Sequence, residues 1–367
     1  MSKIRVLVVD DSLFMRRMLS DLLAQDSGIE VVGTARDGQQ GLELARALKP
    51  DVITLDVEMP VMDGVAMLQR LMAEQPTPVV MVSSLTRAGA EVTLRCLELG
   101  AVDFVTKPSG AISLDIYKVS SQIIEKVKAA ARVPRHRLAG LSSSGERQNL
   151  AEKFPRRDDL AVRRATAPSK ATSLPLVVIG ASTGGPRALS LLMSQLPPDF
   201  HAPMLIIQHM PEGFTRSFAE RLDRLSHVQV REAQEGDRLQ HGVAYLAPGG
   251  HHLQLLHGGQ LHLSDEPPLH GVRPAVDITL LSIAQNYFGS VVVAILTGMG
   301  TDGATGVRAL HAKGARILAE DESSCVVFGM PRAAIQTGCV HHIVPLEQMA
   351  QRITEEVQHL CKSHQVA

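Results

Sequence analysis

The chain has 367 residues, 45% hydrophobic and 20% charged, with a formal net charge of −1, a length that suggests two or three domains, each able to bury its own core. So small a net charge supplies no field to steer the protein toward nucleic acid or an anionic membrane, and no apolar run nears the roughly 18 residues of a spanning helix, so direct membrane insertion is not expected. The four cysteines (Cys96, Cys325, Cys339, Cys361) lack CxxC spacing, and Met1 to Arg5 passes straight into a strand without a signal-like apolar stretch, which points to a reduced, cytoplasmic protein without a disulfide framework.

Residues 1–130 alternate strand and helix patterns five times. Ile4 to Val9 is a strand that ends in Asp10-Asp11, Val52 to Leu55 ends in Asp56, Val79 to Val82 ends in Ser83-Ser84, and Phe104 to Thr106 ends in Lys107-Pro108. Helix patterns follow at Ser12–Asp26, Gly38–Leu48, Gly64–Glu74, Ala88–Leu99 and Asp115–Ala130, with apolar stripes such as Leu19, Leu22 and Leu23. In a doubly wound parallel sheet the crevice lies beyond the carboxyl ends of the strands. Three acidic groups, a hydroxyl and an ammonium therefore gather at one edge. Clustered carboxylates repel unless a cation joins them, and hard oxygen ligands suit Mg²⁺.

Pro134 to Thr172 breaks the pattern. It holds three prolines, a Ser142-Ser143-Ser144-Gly145 run, and nine Lys/Arg against four Asp/Glu, the composition of a solvated linker. As a coil its 39 residues span roughly 35 Å root-mean-square. The expected domains are thus 1–130, a flexible basic linker at 131–173, and 174–360. A nucleic-acid-binding arm is the alternative for the basic bias, but aromatic interleaving stops at Phe154, and no nucleic-acid partner is expected.

From Leu174 the α/β pattern resumes. Leu176 to Ile179 runs into Gly180-Ala181-Ser182-Thr183-Gly184-Gly185, Leu205 to Ile207 into Gln208-His209-Met210, and Val291 to Leu296 into Thr297-Gly298-Met299-Gly300-Thr301-Asp302-Gly303. Short apolar runs before Gly-rich turns read as buried parallel strands, so a nucleophile, a base and a carboxylate converge on one edge. Leu253 to Leu263 reads as an antiparallel hairpin around Gly258-Gly259. The fold class is α/β throughout, a five-stranded parallel, flavodoxin-like domain followed by a mainly parallel domain with an antiparallel extension.

Gly180-Ala-Ser-Thr-Gly satisfies the GxSxG elbow of α/β-hydrolases, but those run Ser, Asp/Glu, His, whereas this chain runs Ser, His, Asp. A Ser/His/Asp set on another scaffold is implied. A dinucleotide site would need GxGxxG and an acidic ribose ligand, and neither is present. His251-His252 and His341-His342 lack coordinating spacing, so no metal or other cofactor is expected in the second domain. Asp302 and Asp277 compete to orient His209; Asp277 starts a helix pattern, where an acidic residue serves as a cap, and Asp302 is preferred.

The first domain resembles a two-component receiver domain over essentially its whole length. The resemblance implies that Asp10 and Asp11 bind Mg²⁺ with Asp56, that Asp56 accepts a phosphoryl group from a sensor histidine kinase, and that Ser83, Lys107 and Phe104 form the phosphate-responsive switch. The second domain resembles the chemotaxis-type protein-glutamate methylesterases from about Val177 through Val344, in Gly180-Ala-Ser-Thr-Gly-Gly, Gln208-His-Met, Gly213-Phe-Thr-Arg-Ser-Phe-Ala, Leu296-Thr-Gly-Met-Gly and Ser324-Cys-Val-Val-Phe-Gly-Met-Pro. That resemblance implies Ser182 as nucleophile, His209 as general base, Asp302 as its orienting partner, and backbone donors at Met299 and Thr183 as the oxyanion hole. The implied substrates are methylated glutamyl residues on the cytoplasmic helices of chemoreceptors, with deamidation of certain glutamines. Thr301 and Ala275 depart from the commoner Asn and Ser. A receptor-binding adaptor gated by its receiver, without catalysis, stays open at this point; reaction of Ser182 with a phosphonate separates the two.

Overall fold

The computed structural model describes residues 3–84, 86–107, 114–135, 138 and 175–365. Most of the expected linker, and Pro108 after Lys107, lie outside the described residues. The chain divides into two compact units, Met1–Ser144 and Gly145–Ala367.

In the first unit, strands β1 (Ile4–Val9), β2 (Ile29–Ala35), β3 (Val52–Asp56), β4 (Val79–Ser83) and β5 (Asp103–Thr106) form one sheet in the order β2-β1-β3-β4-β5, with parallel pairing throughout. This is the flavodoxin-like order, whose switch point lies between β1 and β3. Helices α1 (Leu13–Ala24), α2 (Gly38–Leu48), α3 (Gly64–Glu74), α4 (Arg87–Glu98) and α5 (Leu114–Ala131) alternate with the strands. The first four begin where a short polar side chain caps an orphan N–H: Ser12 accepts from Met15, Asp37 from Gln40, Asp63 from Ala66 and Thr86 from Gly89. The caps therefore set the helix starts within a residue of the sequence expectation.

The second unit carries a seven-stranded sheet in the order β14-β13-β12-β6-β7-β9-β8. Its strands are β6 (Leu176–Ala181), β7 (Met204–Gln208), β8 (Gln229–Glu232), β9 (Val243–Leu246), β12 (Val291–Ile295), β13 (Arg316–Glu320) and β14 (His342–Val344), all paired in parallel. Every residue of β6, β7 and β12 is buried, as expected for strands covered on both faces. The order runs outward from β6 in one direction and from β12 in the other, so the switch point falls between these two strands.

Helices α6 (Gly185–Gln195), α7 (Phe214–Leu225), α8 (Val276–Asn286), α9 (Ala304–His311), α10 (Met330–Gln336) and α11 (Leu346–Gln365) flank the sheet. The expected hairpin is β10 (His252–Leu255) paired antiparallel to β11 (Leu261–Ser264). Its open edge is satisfied by α8 rather than by another strand. The Leu253 and Leu255 carbonyls accept from Thr279 Oγ1 and Asn286 Nδ2, and the Leu255 N–H donates to Ser282 Oγ. Leu253, Leu255 and Leu261 then close a core with Val276, Leu280 and Ile283 against Val178, Leu205 and Val293. That packing brings the N-terminus of α8 to the carboxyl edge of β12. Among the described residues, no helix is long and apolar enough to cross a membrane.

Candidate active site and phosphoacceptor site

At the switch point of the second unit, Ser182 follows β6, His209 follows β7, and Asp302 lies in the turn after β12. His209 Nε2 and Asp302 Oδ2 are 2.7 Å apart, with the imidazole only 10% and the carboxylate 2% exposed. The ring is held at its backbone by His209 N donating to the Ala181 carbonyl at 3.1 Å. Ser182 is tied to the β12 turn by its N–H, which donates to the Thr297 carbonyl at 3.0 Å. No hydrogen bond joins Ser182 Oγ to His209 among the described residues.

Asp302 has a second role. Helix α8 has no side-chain cap of its own, since its N-cap is Ala275. Asp302 supplies one from across the fold: Val276 N donates to Oδ2 at 2.7 Å and Asp277 N to Oδ1 at 2.9 Å. Ala275 is therefore accommodated at a position where a serine would ordinarily be favoured. Burial opposes ionisation of Asp302, but the His209 hydrogen bond and charge, with the two backbone donors at a positive helix end, outweigh it and hold the carboxyl below its ordinary range.

The competing carboxylate, Asp277, is not the cap of its own helix, which corrects the sequence reading. It sits in the first turn of α8, accepts from Gly306 N at 2.8 Å in the next helix, α9, and pairs with His270 Nε2 at 3.2 Å. Burial, reinforced by the nearby Asp302 charge, pushes its carboxyl up. His270, Asp277 and Asp302 bring potential ligand atoms within 4.8 Å of one another, but every carboxylate oxygen in the group already accepts a hydrogen bond. His252, one of the paired histidines, is buried and held by Ala275 N and the Pro267 carbonyl.

Two oxyanion candidates fall at this edge. The Met299 N–H makes no hydrogen bond among the described residues, while the adjacent Gly298 N donates to Val327 O. Thr183 is buried, and its carbonyl accepts from Thr297 Oγ1 at 2.9 Å. Gly184, between Thr183 and α6, has φ +80°, and a Cβ there would lie 2.6 Å from Val326. Both facts demand glycine. The helices after these turns have Gly184, Gly213 and Gly303 as N-caps, without side-chain caps, and their first N–H groups bond back to the turn carbonyls of Ser182, Pro211 and Thr301.

Sequence reasoning passed over Gln208, Thr297 and Glu320. Gln208 Nε2 donates to the carbonyls of Ser182 and His209, both at 3.0 Å, and so spans the two turns. Glu320 ends the apolar run of β13 and would have been found by the same strand-end rule that found Ser182.

In the first unit, Asp10 and Asp56 are buried and Asp11 is exposed, with ligand oxygens of all three within 4.8 Å of one another. Lys107 Nζ reaches Asp56 Oδ2 at 2.7 Å and Asp10 Oδ2 at 3.1 Å. Burial, then the Asp10 charge, pushes Asp56 up to about 6 despite Lys107. Three hard oxygen donors carrying more negative charge than one ammonium offsets fit a divalent cation such as Mg²⁺. Ser83 Oγ accepts from Thr93 Oγ1 of α4 at 2.7 Å. Phe104 is buried, with Lys126 Nζ 5.1 Å from its ring centre.

The whole chain has close relatives. Residues 177–353 match the CheB methylesterase family and residues 6–116 the response regulator receiver domain. The protein-glutamate methylesterase/protein-glutamine glutaminase of Symbiobacterium thermophilum is 50% identical over 358 residues, covering 96% of this chain and 97% of the relative. This chain belongs to that family of hydrolases. The Bacillus subtilis member is 45% identical over 96% of this chain and 98% of its own. The crystal structure of the Thermotoga maritima CheB methylesterase catalytic domain is 42% identical, covering 50% of this chain and 99% of that one, with a TM-score of 0.48.

The two buried aspartates should leave opposite marks on stability. Asp302, whose folded pKa is lowered, contributes fully above its unfolded value near 3.9 and loses that contribution as pH falls through the lower folded value. Urea midpoints of Asp302→Asn should lie below the parent's at pH 6 and converge on them toward pH 3; parallel curves would show that the charge adds nothing. Asp277, whose folded pKa is raised, loses stabilisation as pH rises from the unfolded toward the folded value. Asp277→Asn should therefore gain on the parent as pH rises over the same series.

Proposed function

We propose that the protein is a phosphorylation-activated serine hydrolase that removes methyl esters from glutamyl side chains of chemoreceptors, and deamidates certain of their glutamines, in the cytoplasm. The observation that carries this reading is the 2.7 Å contact between His209 Nε2 and Asp302 Oδ2 beside the strand end that bears Ser182, in a chain of this family.

Ser182 Oγ attacks the side-chain carbonyl carbon while His209 takes its proton. With Nε2 committed to Asp302, the accepting nitrogen is Nδ1. Asp302 stabilises the imidazolium, which gives the proton to departing methoxide and leaves methanol and an acyl-serine ester. Water, deprotonated by His209, then cleaves that ester to glutamate and restores Ser182. A glutamine follows the same path with ammonia as the leaving group. The Met299 and Thr183 N–H groups are the proposed donors to the carbonyl oxygen as it gains charge.

In the receiver, Asp56 accepts a phosphoryl group from a sensor histidine kinase. Asp10, Asp11 and Asp56 would hold Mg²⁺, which when bound neutralises the charge developing on the phosphoryl oxygens. Lys107 and Ser83 meet those oxygens. To donate to a phosphoryl oxygen, the Ser83 hydroxyl turns from the Ser84 and Gly89 carbonyls, each 3.4 Å away, so the start of α4 and the region of Phe104 respond to the phosphate.

Because the three groups act as a unit, Ser182→Ala and His209→Ala should each lower methanol release from methyl-labelled receptor membranes by on the order of 10⁴, and the double variant should be little worse. Near-parental release by Ser182→Ala would remove the reading. Asp56→Ala should abolish stimulation of the same assay by a small-molecule phosphodonor; undiminished stimulation would place the phosphoacceptor elsewhere.

A further inference from the structure

Glu320 closes β13 with no exposed surface, and no cation pairs with it among the described residues. Burying a carboxyl group without a counter-charge is costly unless its oxygens are hydrogen-bonded. Here Oε2 accepts from Thr297 N at 2.7 Å and Oε1 from Ser324 Oγ at 3.0 Å. Ser324 Oγ is itself fixed as acceptor for Leu346 N at 3.0 Å, so the carboxyl group is held from the direction of α11.

Thr297 is the hub of the crevice. Its carbonyl accepts from Ser182 N at 3.0 Å. Its Oγ1 donates to Thr183 O at 2.9 Å and accepts from Val327 N at 3.0 Å. The next residue, Gly298, has its N–H on Val327 O, and its carbonyl receives Gly329 N and Met330 N. A Cβ at Gly298 would sit 2.8 Å from Ser182 Cβ and 2.4 Å from Met330 Sδ. The turn is therefore pressed directly against the serine, and any displacement of Thr297 is passed to Ser182, Thr183 and Met299 together.

We infer that Glu320 is a positioning residue for ester hydrolysis, holding the Thr297 peptide so that the Ser182 turn and the Met299 N–H keep a fixed relation. The inference rests on the proposed role of Ser182. What Thr297 requires is an acceptor and not a charge. Burial pushes the Glu320 carboxyl up to about 7, so a neutral side chain of the same shape is a close substitute. Loss of the acceptor leaves a buried N–H unsatisfied and frees the turn to shift, and a displacement of about 1 Å is enough to slow a reaction that depends on alignment.

The test uses the full chain and methyl-labelled receptor membranes. Glu320→Met keeps the length and bulk without the acceptor, and Glu320→Ala removes both. Each should lower kcat about tenfold or more with KM within about twofold, while Glu320→Gln stays within about twofold of the parent in both. The rate at which a fluorophosphonate labels Ser182 should follow kcat. A folded Glu320→Met or Glu320→Ala protein with parental kcat overturns the inference, as does a Glu320→Gln protein impaired as deeply as the Met variant. Should neither acceptor-less variant fold, Glu320→Gln decides: parental kcat and labelling support the inference, and a tenfold loss overturns it. Ser182→Ala in the same assay separates the two failures, because methanol release at the parental rate there sinks the nucleophile assignment itself.

Discussion

Asp302 is an anion placed where water cannot reach it, and the arrangement of the second unit follows from how that charge is satisfied. It takes two backbone N–H groups from the start of α8 and one imidazole N–H from the end of β7. For those donors to arrive, α8 must end its preceding loop at Ala275, and the hairpin must pack α8 onto the sheet through Thr279, Ser282 and Asn286. The antiparallel extension, distant from the chemistry in sequence, is thus a support for the carboxylate. A charge stabilised by fixed dipoles would need no reorganisation in the proposed mechanism, in which His209 becomes a cation.

The receiver handles its buried carboxylates in the contrary way. Asp10 and Asp56 share one ammonium, Lys107, and Asp11 adds further negative charge at the rim. The result is a site in which Asp56 is pushed toward its neutral form. On the proposed reading, the excess negative charge of this cluster is what a divalent cation would offset. One unit therefore satisfies a single anion with three donors, the other sets several carboxylates around one ammonium, and both do so at the carboxyl edge of a parallel sheet, beside the strand-order switch.

Polar side chains link the strand ends around the crevice. Gln208 bridges the turns after β6 and β7, and Thr297 bridges those after β6 and β12 while resting on Glu320 from β13. Four adjacent strands are thereby coupled through side chains that need not touch a substrate. This is consistent with the general requirement that reacting groups be held by residues whose own conformations are locked.

Much of this architecture was legible in the chain itself. Parallel strands covered on both faces are uninterrupted apolar runs, so β6, β7 and β12 announced themselves, and strand-end position together with the family resemblance singled out the residues just beyond them, Ser182, His209 and Asp302. The receiver helices were equally plain, because Ser12, Asp37, Asp63 and Thr86 are caps whose hydrogen bonds reach only three residues ahead. Local rules of period and capping suffice where the partner is nearby in sequence. They misplaced Asp277, read as a cap for its own helix, because its acceptor oxygen serves Gly306, 29 residues on. They also gave no hint that Asp302 would cap α8, or that Thr297 would lean on Glu320, 23 residues away. Those pairings depend on which strands become neighbours and on how tightly the turns beyond them approach. Sequence pattern determined the elements and the chemical groups at their ends; only the packed fold decided which buried donor would satisfy which buried acceptor.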